Sequence, residues 1–287
     1  MNLRKLLFLI TMIFSLVLAA CAPVATPAGG TEAAAPAGQT CNLVTVGEKD
    51  GMPDLQGCTL RIAVENAYQP FNYIDPDTKK AVGYDYDIFV EICTRINCQP
   101  EFVETSWDAM VALMGGQGAA ETFDVGADGI TITEARAEHV DFSIPYIASQ
   151  QMLLVRADET RFVEPAEFVA QADLKMGTQI GTTNYDAAAA LIGADRIVAF
   201  DQFGPAVQAL INEDVDAVMI DNVSGMGYVG ANPGKVKLTG QPVKSEELGF
   251  MFPKGSALRA PVDTALESMQ ADGKIDELYK VWFEAAK

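Results

Sequence analysis

Gly129-Ile130-Thr131-Ile132-Thr133-Glu134-Ala135-Arg136, followed by Val140-Asp141-Phe142-Ser143, is the stretch whose reading decides the rest. Directly before it, residues 123–127 form an apolar run of the kind that makes a buried strand. A strand that ends in Asp-Gly and Thr-x-Thr offers backbone N–H groups and hydroxyls at its carboxyl end. Arg136 lies far enough past Thr131 to reach back over that end. In an open α/β sheet, ligands sit outside the carboxyl ends of the strands. The parts suit the holding of a small carboxylate, with a guanidinium for two-pronged pairing and a hydroxyl and an N–H for the remaining lone pairs. A lone arginine in a threonine-rich turn more commonly caps a helix or pairs on the surface, here with Glu134. The rest of the chain has to decide between the two.

The chain has 287 residues and a formal charge of −19. That length gives room for one or two domains with a core. An acidic surface argues against nucleic acid, whose backbone calls for a basic footprint. Residues 1–20 read as a targeting segment. Arg4 and Lys5 precede an apolar stretch at 6–18 that is too short to span a bilayer comfortably. It ends in Leu18-Ala19-Ala20-Cys21, which resembles a bacterial lipobox, in which Cys21 would be diacylated and become the mature N-terminus. A plain signal peptide is the alternative. Residues 22–40 are mostly Ala, Pro, Gly and Thr, carry one charge at Glu32, and read as a flexible tether. A lipid-bearing cysteine, a tether and a globular body fit a protein that works beside a membrane without spanning it.

There are five cysteines. If Cys21 carries lipid, four remain, an even number in an exported, oxidising setting. Proximity in sequence pairs Cys41 with Cys58 and Cys93 with Cys98; free thiols or metal ligation are the alternatives. With one histidine, His139, and no C-x-x-C, no metal is expected.

Taken in order, Thr59-Leu60-Arg61-Ile62-Ala63-Val64 is a strand that runs into a loop bearing Glu65 and Tyr68. Tyr68 is either a core ring or a cleft ring. Residues 72–80 form a hairpin turn with Asp75-Pro76-Asp77 at its tip. After Gly83 a helix carries Ile88, Phe89, Ile92 and Ile96 at core spacing, with Asp85 and Asp87 as N-terminal capping residues. A strand at 101–104 leads to a helix that begins at Thr105-Ser106-Trp107-Asp108. Residues 115–122 read as a mobile surface loop. Asp128 is an acid at the mouth of the carboxylate site. With Glu65 it suggests a ligand with a cationic side chain; a solvated acid pointing away is the alternative. Residues 174–184 make a strand, a turn and a helix start whose N–H groups could face an anion. Thr182 as an ordinary N-cap fits the same geometry. No Gly-Lys-Ser/Thr follows, so this is not a phosphate loop. Asp221 closes the strand Val215-Asp216-Ala217-Val218-Met219-Ile220, where its carboxylate could take an ammonium or cap the next helix.

Several of these segments resemble one family. They are the opening stretch, Gly83-Tyr84-Asp85-Tyr86-Asp87, Gln179-Ile180-Gly181-Thr182-Thr183, the strand into Asp221, Gly249-Phe250-Met251-Phe252-Pro253-Lys254-Gly255-Ser256, and the closing segment at 273–283. In register from about Thr59 to Phe283, they are similar to the periplasmic amino-acid-binding proteins, the solute-binding proteins of polar amino-acid ABC transporters. The chain departs from them in its longer turn at 115–122, and at Asp128, where many relatives carry Ser or Ala.

The resemblance implies an α/β, two-lobe periplasmic-binding-protein fold of type II. Two hinge crossings, near 146–150 and 243–248, would join lobe 1 (57–147 and 246–287) to lobe 2 (148–245). A lipid-anchored tether and N-terminal disulfide region would cover 21–56. It also implies a ligand in the interlobe cleft. Arg136, Thr131 and the N–H of Gly129 would hold its α-carboxylate, with Thr182 from the other lobe. Asp221 would take the α-ammonium, Tyr68 and Trp107 would sandwich the side-chain stem, and Glu65 and Asp128 would lie near its end. The expected function is capture of a basic or polar L-amino acid by a monomeric, lipid-anchored protein. It would work in the periplasm or on the outer face of the cytoplasmic membrane, deliver to an ABC permease, and need no cofactor. Two alternatives are a cyclohexadienyl-dehydratase-like enzyme on the same fold and a ligand-binding sensor domain.

Overall fold

Apolar strand runs that end in an acid, amide or glycine recur along this chain, and they assemble into two five-stranded sheets. The computed structural model describes residues 38–117 and 122–284. In the first sheet Cys98–Glu104, Cys58–Val64 and Val125–Gly126 run parallel in that spatial order. Met251–Pro253 then pairs antiparallel with both Val125–Gly126 and Val140–Phe142. In the second, Ile197–Phe200, Met176–Gln179 and Ala217–Asp221 run parallel. Ile147–Arg156 lies antiparallel to Ala217–Asp221, and Val236–Leu248 antiparallel to Ile147–Arg156.

Helices cover both sheets because their apolar faces need burial. On Tyr84–Arg95 the residues Ile88, Phe89 and Ile92 are fully enclosed. Each such side chain contributes roughly 1.5–3 kcal/mol relative to exposure. Phe203–Ile211 buries Phe203, Val207 and Leu210 over the second sheet. The parallel strands of each sheet share one carboxyl end, and these ends carry Glu65 and Asp128 in the first sheet and Gln179 and Asp221 in the second.

The two sheets are joined by long crossing strands. Ile147 faces Leu248 and the pairing runs to Gln151 opposite Lys244, where the register shifts before Leu153 meets Thr239. The decisive stretch is fastened to this crossing. Thr131 bridges Leu248, and the Ile132 N–H donates to the Glu247 carbonyl at 2.9 Å.

The expectation for Asp85 and Asp87 needs correcting. Both lie in the first turn of Tyr84–Arg95, where the helix dipole favours an acid, yet no side chain caps that helix. Asp85 points inward and accepts from the Tyr146 hydroxyl and the Asn72 amide. Asp87 accepts from the Trp282 indole at 2.8 Å. The cap position belongs to Gly83, at φ +147°, where a Cβ would sit 2.1 Å from the Phe71 carbonyl oxygen.

Cys41 is bonded to Cys58 and Cys93 to Cys98. The targeting segment 1–20, Cys21, most of the tether, and residues 118–121 of the expected loop lie outside the described residues. Among the described residues no helix is long and apolar enough to cross a membrane.

Candidate functional site

A small cavity lies where the carboxyl ends of the two parallel strand sets face each other. Tyr68, Trp107, Asp128, Gly129, Thr131 and Arg136 line it from the first sheet's side, and Thr182 and Asp221 from the second's. Glu65 does not line it. It lies buried behind, accepting from the Gln179 amide at 3.2 and 3.3 Å. Gln179, Thr183, Asn184 and Phe203 also line the cavity, although no sequence argument singled them out. Gln179 ends a parallel strand, and that position could have flagged it; Phe203 carries no such signal.

Arg136 belongs to the short helix Glu134–Ala137, whose start is fixed by the Thr133 hydroxyl accepting the Arg136 N–H. Its guanidinium donates to the Thr131 carbonyl at 2.9 Å and to the Gly181 carbonyl at 3.4 Å, and lies 5.7 Å from the centre of the Trp107 ring. Burial pulls its pKa down, and Glu246, Asp186 and Asp221 oppose that pull. With five N–H donors in a planar fork, it keeps capacity beyond these two carbonyls.

The other expected carboxylate donors are aimed elsewhere. The Thr131 hydroxyl donates to Glu246 Oε2 at 3.0 Å, the same oxygen that takes the Thr183 hydroxyl at 2.8 Å and the Gln151 amide at 3.3 Å. A hydroxyl has one hydrogen, so Thr131 turns lone pairs, not a proton, to the cavity. The Thr182 hydroxyl accepts the Tyr185 N–H and donates to the Gln179 carbonyl, as an N-cap does. The Gly129 N–H serves the Asp85 carboxylate. Glycine is required there, since φ is +55° and a Cβ would lie 2.9 Å from the Tyr68 ring.

Asp221 stands at the cap position of Asn222–Ala231 but its side chain does not cap that helix. One oxygen accepts the Tyr68 hydroxyl across the cleft and the Asn184 amide at 3.2 Å. The other, Oδ1, is buried and has no hydrogen-bond partner among the described residues. Burial raises the Asp221 carboxyl to about 6, against the pull of the Tyr68 hydroxyl.

Asp128 is 3% exposed, so the solvated alternative does not hold. It accepts from the Asn72 amide at 2.8 Å, and the same amide nitrogen serves Asp85 at 3.0 Å. Burial first, then the neighbouring Glu65, push the Asp128 carboxyl well above the usual range. Burial likewise raises Glu65 to about 7 despite the Gln179 and Gln202 amides.

The two expected stacking rings are engaged within the protein. Tyr68 stacks on Phe71 and Phe203, with centroids 5.3 and 5.1 Å away. Trp107 lies under the Arg136 guanidinium and its indole N–H donates to the Ile180 carbonyl at 3.2 Å. The result is a bipolar cavity, with a guanidinium at one wall, an unpartnered carboxylate oxygen at another and aromatic rings between them.

Comparison with known proteins adds to this geometry. Residues 60–285 match the family described as "Bacterial extracellular solute-binding proteins, family 3". The L-cystine-binding protein TcyA of Bacillus subtilis is 30% identical over 228 residues, 78% of this chain and 81% of that protein. The structure of the arginine-, lysine-, histidine-binding protein ArtJ from Geobacillus stearothermophilus superposes with a TM-score of 0.71 at 32% identity, over 79% of this chain and 95% of the other. The ancestral amino-acid-binding protein AncCDT-1, a precursor of cyclohexadienyl dehydratase, does so with a TM-score of 0.69 at 31% identity, over 78% and 95%. Further relatives bear the names of amino-acid-binding proteins of ABC transporters.

Proposed function

This chain belongs to the bacterial extracellular solute-binding proteins of family 3, and from that premise we propose that its cleft captures an L-amino acid with a cationic side chain. Solute capture for an amino-acid ABC transporter goes with the membership; the ligand class and the residue roles are our reading. The observation that carries it is Asp221 Oδ1, a buried carboxylate oxygen with no partner among the described residues, on a cavity that also presents Arg136.

An unpaired buried acceptor is costly, and an α-ammonium would satisfy it. Arg136 takes the α-carboxylate, together with N–H groups at the start of Thr183–Ile192. Tyr68, Trp107 and Phe203 enclose the stem. Asp128, with Glu65 behind it, faces the side-chain cation. Closure follows from contacts between the two halves, such as Tyr68 with Asp221, which exist only when the lobes meet. In this reading lobe 1 is 57–147 with 246–287, lobe 2 is 148–245, Cys21 anchors the chain to the membrane, and the monomer delivers its ligand without chemical change.

A thermal-shift and titration screen of the protein against the twenty amino acids tests this. A ligand at a hundred times its dissociation constant stabilises by about 2.7 kcal/mol. Shifts with arginine, lysine or histidine alone support the reading; a shift confined to neutral amino acids discards Asp128 as a charge partner.

A second reading, an enzyme that eliminates water from a cyclohexadienyl acid, rests on Glu65, whose carboxyl is raised to about 7 beside the cavity, a value suited to acid–base work. Incubation with prephenate and assay for the aromatic product tests it. Failure to form product leaves solute capture.

A further inference from the structure

The inner wall of the cavity contains an arrangement that plain amino-acid capture does not need. Asn72 is fully buried, and its single amide nitrogen donates to Asp128 at 2.8 Å, Asp85 at 3.0 Å and the Ala127 carbonyl at 3.3 Å. Its own carbonyl oxygen is occupied by the Asn66 N–H at 2.7 Å. Two hydrogens on one neutral amide therefore serve two carboxylates, and neither acid has an ion pair within 4 Å among the described residues. Glu65, at the end of the neighbouring strand, adds a third buried acid whose field acts on Asp128.

The groups facing this array bring little positive charge. From the hairpin comes the Tyr68 phenol and from the crossing segment the Tyr146 phenol, and the field of Asp128 acts on both. From the second sheet comes Asp221, a further acid. Asp108, on the helix Trp107–Met114, adds negative charge on the Glu65 side. Arg136 is the one cation lining the cavity among the described residues, and it is turned to the Thr131 and Gly181 carbonyls. Like charges gathered in a dry site do not all ionise, so the array favours keeping a proton while the cavity lacks a cation. The raised pKa values of Asp128 and Glu65 agree with this.

We propose that the Asp128–Asn72–Asp85 array, with Glu65, is a proton-for-cation exchange site: seating a cationic side chain beside Asp128 expels a proton, whereas seating a neutral side chain expels none. The inference rests on the cationic-ligand reading and deepens it. The exchange balances in charge. The proton leaves the carboxyl group to solvent, the carboxylate left behind pairs with the ligand's ammonium or guanidinium, and no bond of the ligand changes. Asn72 is the positioning residue, because its one amide nitrogen holds the Asp128 and Asp85 carboxyl groups together. The sign follows from linkage. A ligand that binds the ionised site better lowers its pKa, so affinity for a cation rises with pH. Discrimination against neutral amino acids then widens by up to about tenfold per pH unit for each proton exchanged. The same site admits a neutral polar side chain when protonated, donating a hydrogen bond to it instead of accepting one.

Isothermal titration of the protein with arginine, lysine and glutamine tests the proposal, using buffers of different ionisation enthalpy at about pH 6 and about pH 8, either side of the ordinary histidine value. The dependence of measured heat on buffer counts protons directly. The expected result at the lower pH is release of about one proton per arginine or lysine, none per glutamine, and an arginine-to-glutamine affinity ratio that grows with pH. Asp128→Asn, isosteric with the native residue, should abolish the release and flatten the ratio. Arginine binding with no buffer dependence at either pH overturns the exchange and leaves the cationic-ligand reading standing. Equal release with glutamine overturns it too, since the proton would then answer to closure and not to charge. Binding of neutral amino acids alone, or of none, overturns both.

Discussion

Asp124 and Asp128 flank the same short strand, Val125–Gly126, and each is 3% exposed, yet they live in opposite electrostatic worlds. Asp124, at the amino end, takes the Arg61 guanidinium at 2.7 Å and the Arg61 N–H at 3.0 Å. Asp128, at the carboxyl end, meets the Asn72 amide, the Glu65 backbone N–H and the fields of two further acids, with no cation beside it among the described residues. The second sheet repeats the contrast. Away from the cleft, Glu159 and Asp216 are clasped by Arg161 at 2.6 and 2.7 Å, and the Arg161 hydrogen bonds hold the Glu159 carboxyl down at about 2. At the cleft, Asp221 is raised to about 6. Buried acids whose charge is balanced within the chain are structural. Buried acids at the carboxyl strand ends lack a cation of the chain beside them among the described residues, and in the proposed reading the ligand supplies it.

The contrast can be broken by experiment. The largest effect should come from Arg61→Ala, which strands Asp124 in the core. Losing one partner of a buried pair costs about 3–5 kcal/mol, so urea denaturation should show a large loss of stability, with the affinity of the folded protein for its ligand unchanged. A stable variant would erase the division between structural and site acids. Arg136→Ala should do the reverse. Removing a buried charge contact to ligand costs roughly 2–5 kcal/mol, so titration should show affinity falling thirtyfold or more while the ligand-free melting temperature stays put. Glu246→Gln sharpens the picture at the crossing strands. It weakens the acceptor shared by the Thr131 and Thr183 hydroxyls, and about 1–2 kcal/mol of affinity should go with it; unchanged affinity would show that this shared acceptor does not bear on binding. The smallest effect is in pH. Glu159 has its folded pKa depressed, so its stabilisation is full above its ordinary pKa and is lost as pH falls through about 2. Glu65 has its folded pKa raised, so its stabilisation is present below its ordinary pKa and is lost as pH rises through about 7. The melting temperature of the ligand-free protein should therefore decline by a few degrees at most over the upper window, and a cationic ligand should cancel the decline.

Much of the fold was legible because apolar runs punctuated by glycine, threonine and acids mark strands and their carboxyl ends, and the ends are where the cavity lies. The strand into Asp221 and the run before Gly129 are of this kind. Both cysteine pairings by proximity are the bonds found. Hydroxyl direction was not legible. Thr131 looks like a donor to ligand until Glu246, 115 residues away, takes its hydrogen. Asp85 reads as a helix-start acid because its partners Asn72 and Tyr146 lie on other elements. Phe203 is buried on its helix and also lines the cavity, where Tyr68 stacks on it, and nothing in the sequence links the two rings. What escapes a sequence reading here is pairing between distant segments.

The bond from Cys41 to Cys58 has a mechanical consequence. Cys58 opens the strand Cys58–Val64, held between Cys98–Glu104 and Val125–Gly126. Tension applied to the chain ahead of Cys41 is therefore shunted through sulfur into an interior strand that is loaded along its length. Residues 42–57, including the small hairpin of Gly47–Lys49 and Met52–Asp54, are bypassed and stay slack. A pull on that end meets the shear resistance of a whole sheet instead of unzipping its margin.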